Sequence, residues 1–531
     1  MNRKLQNFTL LTSVLLLLLV AAEFFLRSQY VHLQILMSDY DRRHRMHTHY
    51  DYFVETAQKA GVSESTFNIY FLGESTMWGV PYGPYLSIPN IVGYQLNESI
   101  GGKPVRIVNL SSAAKDVTYT YHILKLLISN KDIFHPSLIV LYSGHNEFLK
   151  YHPTDPDFHV PVLKWLSDHS EIACQSLTAL CRLKGEILET DVREFLDHDI
   201  FPRDPRGHEK VILNYQKHLL SMAELTQKNE IPLVISTLVS NYASWEPNRS
   251  IFCSSSAQQK QEFLRAFNQG AAAENQNNFK AALKFYDEAL AICSSFAEAH
   301  YREGEAYEAL GNFERANEAF QKAIDDDGMP VRASSQINDV VRSLSRFEHV
   351  HIVDSYRYLR SRSPNGLLDE HLIVDGVHPN LRGYLLISDA IAREIHALFE
   401  PRREKVRALS IDQAKKVFHL DGWKMYEVYY QTGRWITRLA TWRYDPTKRL
   451  NIAESFFNKA IESNPNGYEG FLGLGVISSI RQDRQDAENS FKQARFFDSK
   501  QAELYLSAPW VRKILRRSNT RSASMAAPVL L

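Results

Sequence analysis

The chain has 531 residues, 44% of them hydrophobic and 11% aromatic, which excludes a mainly disordered protein and at this length leads one to expect about three domains. Sixty-one basic residues balance sixty-one acidic ones, so no net field draws the chain to nucleic acid, and no nucleic-acid partner is expected. Four cysteines in so long a chain exclude a disulfide framework, and none has the paired spacing of a zinc site, so neither metal nor cofactor is signalled.

The N-terminus comes first. After Arg3 and Lys4, the run Phe8–Leu26 is almost wholly apolar and just long enough for one membrane crossing. It reads as a signal anchor over residues 1–27, with a cleavable signal peptide as the alternative because Val20 and Ala22 are small enough to precede a cleavage point. Either way the body of the protein is expected on the non-cytoplasmic side, periplasmic or extracellular. Residues 28–65 are polar and rich in His, Arg and Tyr, and they read as a stalk.

Five short apolar runs then mark strands: Asn68–Leu72, Val105–Leu110, Ser137–Tyr142, Leu233–Val239 and Val350–Val353. Each is β-branched and bounded by turn residues, as strands buried on both faces are. Helical patterns separate them, at Ile88–Leu96, Val211–Lys228 and Tyr384–Leu398. Strand and helix in alternation predict an α/β fold with a doubly wound, flavodoxin-like parallel sheet, whose chemistry belongs at the carboxyl ends of the strands.

Polar blocks stand at those ends. Gly73-Glu74-Ser75 follows the first strand and Asn109 to Ala114 the second. Ser143-Gly144-His145-Asn146-Glu147 follows the third, and Asp375-Gly376-Val377-His378 lies between the fifth strand and the Tyr384 helix. A serine at a strand end is presented to substrate, an Asn amide can donate to an oxyanion, and an Asp three residues before a His can orient its ring. Asp132 and His135 share that spacing, but they precede the third strand, which puts them on the opposite edge of the sheet. Arg332 reads as a surface arginine, with contact to a charged substrate as the alternative.

Between the fourth and fifth strands the pattern turns purely helical. Gly270, Ala282, Tyr286 and Ala289 recur 34 residues on as Gly304, Ala316, Phe320 and Ala323. Near the C-terminus Ala453, Phe457 and Ala460 recur as Ala487, Phe491 and Ala494, again 34 residues on. This lattice resembles the tetratricopeptide repeat, all-α helical hairpins in which small residues admit an aromatic ring. The expected domains are a first sheet segment at 66–254, an inserted repeat pair at 255–330, a second sheet segment at 331–402, a C-terminal repeat pair at 403–510 and a disordered tail at 511–531. Cys253 and Cys293 flank the insert, and either a bridge or two buried thiols fits them. Cys174 and Cys181 are too far apart on a helix to pair, at roughly 10 Å.

The four strand-end blocks resemble those of the SGNH, or GDSL-like, hydrolase family. That resemblance implies a serine esterase with Ser75 as nucleophile, His378 as base and Asp375 as its orienting carboxylate. It places Asn146, the Ser75 N–H and the turn at Ala114 in the oxyanion hole. Glu74 stands where the family has Asp, and Ala114 where it has Gly; a backbone donor survives the second change if the turn does not need positive φ. The implied substrate is an acyl, for example acetyl, ester of cell-envelope material, with an acylated glycan first. The alternatives are an O-acyltransferase acting on a glycan, or a repeat scaffold that binds a protein partner while its hydrolase-like domain is inactive. Residues 1–27 would attach any of these to a membrane.

Overall fold

Apolar strands alternating with amphipathic helices build the parallel sheet that the pattern predicts. The computed structural model describes residues 53–148, 205–400 and 406–508, apart from Asn97, 254–255, Trp442 and Tyr444, with isolated positions beyond 508. The expected anchor at 1–27, most of the stalk, Cys174, Cys181 and nearly all of the tail lie outside the described residues. Every element below belongs to one unit, comprising Thr56–Tyr151, Pro202–Leu506 and Ile514–Leu531.

The strands are β1 (Phe67–Gly73), β2 (Ser99–Ile100), β3 (Lys103–Asn109), β4 (Pro136–Tyr142), β5 (Leu233–Ser236) and β6 (Val350–Val353). Their order across the sheet is β2-β3-β1-β4-β5-β6. All pairs are parallel except the short β2–β3 hairpin. The chain therefore winds outward in both directions from β1 and β4. The crevice at their carboxyl ends is the topological switch point, where such sheets place ligands. Tyr70, Phe71, Leu72, Ile139, Val140 and Leu141 are buried, as strands covered on both faces require.

β5 stops at Ser236, three residues short of the predicted end. The Leu238 N–H donates to Asn338 Oδ1 at 2.7 Å and the Val239 N–H to the Tyr142 hydroxyl at 3.0 Å, so side chains replace the next strand and the ladder ends. The helix Leu381–Phe399 is capped by Asn380, whose side chain accepts from the Gly383 N–H, and it buries Tyr384, Ile387, Ile391 and Ile395.

Between β5 and β6 stand four repeat helices, Ala257–Asn275, Phe279–Ile292, Ala297–Ala309 and Phe313–Asp325, followed by the helix Ser335–Ser343. Their hairpins close because glycine faces a ring. A Cβ on Gly270 would lie 2.5 Å from the Tyr286 ring, and one on Gly304 2.6 Å from the Phe320 ring. Cys253 and Cys293 form a disulfide with Cα atoms 5.4 Å apart, which decides between the two readings of that pair. In the C-terminal part the short helix Ile411–Val417 precedes four repeat helices, Gly422–Ala440, Thr447–Ser463, Tyr468–Ile480 and Arg484–Leu506. No helix among the described residues is long and apolar enough to cross a membrane.

Arg332 corrects the sequence reading. It is 1% exposed, and its Nη1 donates to the Asn241 and Trp245 carbonyls at 2.7 and 2.6 Å. Asp327 lies 3.8 Å from its Nη2. Burial pushes the Asp327 carboxyl up and the Arg332 guanidinium down, so desolvation outweighs their mutual attraction. The reason is topological: the chain returning from the repeats runs along residues 241–249 and is hydrogen-bonded to them, so the Arg332 side chain is covered by a segment distant in sequence.

Candidate active site

Ser75 opens a short helix, Ser75–Trp78, directly after β1. Gly73 makes that sharp exit fit, because a Cβ there would meet the Tyr142 carbonyl oxygen at 2.2 Å. The helix is fastened from the far side of the fold. The Tyr384 hydroxyl donates to the Thr76 and Val80 carbonyls at 3.0 and 2.6 Å, and Thr76 Oγ1 donates to the Val377 carbonyl at 3.3 Å.

The Asp375–His378 turn brings its histidine to that serine. His378 Nε2 is 2.8 Å from Ser75 Oγ, and His378 Nδ1 is 2.7 Å from Asp375 Oδ2. The other carboxylate oxygen of Asp375 accepts the Val377 and His378 N–H groups, each at 2.8 Å. Burial works to raise the Asp375 carboxyl, but His378 and these hydrogen bonds outweigh it and hold the group below the usual carboxylate range. The carboxylate is therefore ionised, the ring is oriented, and a base faces a hydroxyl.

Asn146 stands at the end of β4. Its Nδ2 donates to the Lys115 carbonyl at 2.8 Å, which ties it to the turn after β3. That turn is tied in its own right to the nucleophile block by the Ser112 N–H donating to the Gly73 carbonyl at 3.0 Å. Ala114 is exposed at the turn's tip with φ +57°. The turn thus takes the left-handed conformation that glycine would adopt without strain, and alanine adopts it at a cost. The other Asp/His pair stands apart, since His135 precedes β4 and its carbonyl accepts from Asn68 Nδ2 at the amino end of the sheet.

Two further residues matter, both named in the strand-end blocks but given no role there. The Glu74 carboxylate is buried and accepts from Ser143 Oγ and the Gly144 N–H, each at 2.6 Å, and from the Asn146 N–H at 3.1 Å. Desolvation pushes it up to about 7, against the opposing pull of those donors. The signal available was a carboxylate beside the nucleophile facing a Ser-Gly turn of free N–H groups. His145 is the second. Burial, and to a smaller extent His378, push it down to about 3, so it is neutral. Its Nδ1 accepts from the Ala333 N–H at 3.2 Å, which leaves the proton on Nε2, an atom with no partner among the described residues. Nothing in its sequence neighbourhood distinguished it from a turn residue.

Beside His378 and Asp375 opens a cavity of about 300 Å³. One wall is the segment Trp78–Tyr85. The other is the helix Gly422–Ala440, the first of the C-terminal repeat helices, through Lys424, Glu427, Val428, Gln431, Thr432 and Trp435. Among the described residues no lining residue comes from the inserted repeats; the C-terminal set forms this wall.

A tetratricopeptide-repeat family model matches residues 297–327. No curated protein sequence matches the chain. Among solved structures it is similar to the lipase/acylhydrolase from Enterococcus faecalis at 12% identity and a TM-score of 0.29, over 64% of this chain and 100% of that one. It is also similar to YrrB, described as a tetratricopeptide-repeat protein with an unusual peptide-binding site, at 16% identity and a TM-score of 0.15 over 47% and 93% of the two chains. A third similarity is to MamA, at 15% identity and a TM-score of 0.14 over 47% and 98%. The chain resembles SGNH hydrolases in its strand-end residues, and it carries tetratricopeptide repeats.

Proposed function

We propose that this chain is a serine ester hydrolase working through an acyl-enzyme. The observation that carries the reading is the continuous hydrogen-bonded line from Asp375 through His378 to Ser75, at 2.7 and 2.8 Å. His378 takes the Ser75 proton as Oγ attacks the ester carbonyl, and the acquired charge is balanced by Asp375. The Ser75 N–H heads a helix and has no acceptor within it, so it is available to the oxyanion, beside the amide of Asn146 and the N–H groups of residues 113–115 in the turn after β3. His378 then protonates the leaving alcohol. Water, activated by the same ring, cleaves the Ser75 ester and releases the acid. No step calls for a metal.

The Cys253–Cys293 disulfide supports a body exported to an oxidising compartment, and the apolar run Phe8–Leu26 supports an N-terminal membrane attachment. Envelope material is then the accessible source of acyl esters. The match over residues 297–327 favours a second, compatible role in which the repeats bind a protein partner.

The test is labelling of the purified chain by a fluorophosphonate, with Ser75→Ala and His378→Ala alongside. Stoichiometric labelling that is lost in both variants is the expected result. A folded wild-type chain that stays unlabelled, or a Ser75→Ala variant that labels equally, would overturn the reading.

A further inference from the structure

The helix Gly422–Ala440 has two faces with different tasks. Tyr426, Tyr430, Gly433 and Ile436 pack into the core of the C-terminal repeats, where Phe457 approaches Gly433 at 2.9 Å from its would-be Cβ. Lys424, Glu427, Gln431 and Trp435, spaced three and four residues apart on one face, line the cavity at His378 instead. Nothing in repeat packing calls for that stripe.

The opposite wall is aromatic. Trp78, Tyr82 and Tyr85 line it, and Tyr85 and Trp435 are 39% and 37% exposed. Lys424 Nζ sits 4.5 Å from the centre of the Tyr85 ring while donating to the His419 carbonyl at 2.8 Å, so its charge is held at the rim. A slot for a long acyl chain would be lined by long aliphatic groups, and here the aliphatic lining is confined to Val80, Pro81, Val374 and Val428. Flat aromatic faces interleaved with amide, carboxylate and ammonium groups suit a ligand with apolar C–H faces and a hydroxyl-bearing rim.

We propose that the helix Gly422–Ala440 supplies the alcohol subsite of the enzyme, and that Trp435 and Gln431 make it a carbohydrate subsite, so that specificity for a sugar ester comes from the C-terminal repeats and not from the sheet. This rests on the ester-hydrolase reading. The sugar ring stacks on Trp435 with its hydroxyls reaching Gln431 and Glu427, and its esterified oxygen points to Ser75 and His378. Trp435 and Gln431 are specificity residues, since the proton transfers need neither.

The experiment compares hydrolysis of methyl acetate, whose alcohol is too small to fill the subsite, and of a glucoside acetylated at one hydroxyl, which keeps its other hydroxyls free, by the full chain, Trp435→Ala, Gln431→Ala and Trp423→Ala. Trp423 is 64% exposed on the same helix and is not among the lining residues, which makes it the control. The expected result is a fall of tenfold or more in kcat/KM for the sugar ester in the two lining variants, with less than twofold change for the small ester and no effect in the control. Equal losses on both esters would overturn the proposal, as would cleavage of the small ester with none of the sugar ester. A second arm titrates Ser75→Ala with cellotetraose and chitotetraose by calorimetry. Heat of binding that disappears when Trp435→Ala is added supports the subsite, and absence of binding counts against it. If neither ester is cleaved, the catalytic reading fails and this arm alone decides whether the cavity takes sugar.

Discussion

The Glu74 carboxylate holds the Gly144 N–H at 2.6 Å, joining the residue before the nucleophile to the turn after the neighbouring strand. The same group takes Ser143 Oγ and the Asn146 N–H. One buried side chain thus fixes the spacing between the serine block and the amide that faces it across the switch point.

The position of Glu74 makes stability depend on pH. Its carboxyl is raised from 4.5 to about 7, so its contribution is fully present below pH 4.5 and is lost as pH rises through 7. Denaturant unfolding between pH 5 and pH 8 is expected to show a loss of up to about 3 kcal/mol from this group. Glu74→Gln removes that slope. An unchanged slope in the variant would assign it elsewhere.

Asp375 acts in the opposite sense. Its folded pKa is held below the ordinary value, so its stabilising contribution is present above that value and is lost as pH falls through the folded one. Asp375→Asn keeps the shape of the turn but gives His378 the wrong hydrogen-bond partner. On the ester-hydrolase reading kcat for an aryl acetate drops about ten-thousand-fold, and thermal stability falls relative to wild type near pH 7, by an amount that narrows as pH falls through the folded pKa of Asp375.

Ala114 stores strain in the turn after β3. A left-handed alanine costs roughly 1–2 kcal/mol, part of which glycine would give back through its freer unfolded chain. Ala114→Gly is therefore expected to stabilise the protein by about 0.5–1 kcal/mol, and Ala114→Val to destabilise it. Chemical denaturation of the two variants checks both signs.

Arg449 fastens the C-terminal helices to the segment that follows β5. It is fully buried, and it donates to Asn248 Oδ1 and the Glu246 carbonyl, both at 2.6 Å, with its guanidinium 4.3 Å from the Trp245 ring. Burial pushes the guanidinium down to about 9. Arg449→Ala leaves the buried acceptors unpaired and the Glu246 carboxylate with only Arg443, at 3.8 Å, as its cation, and the expected loss is about 3–5 kcal/mol. Proteolysis between residues 400 and 450 should accelerate with it. Resistance equal to wild type would show that the helices dock independently of this contact.

Much of the architecture was legible in the chain itself. Runs such as Ile69–Leu72 and Leu138–Tyr142 carry their strand character locally, and the 34-residue lattice of Gly270 and Gly304 carries the helical hairpins, because both follow from short-range sterics and periodicity. Ser75, Asp375 and His378 were legible as residue types at strand ends. What brings His378 Nε2 to Ser75 Oγ across 303 positions is the sheet order, together with the Tyr384 and Thr76 tethers, and these are contacts between distant segments. The same holds for the burial of Arg332, the carboxylate clamp of Glu74 and the cavity wall of Gln431 and Trp435. Each depends on which surface another part of the chain happens to cover, and no local pattern encodes that.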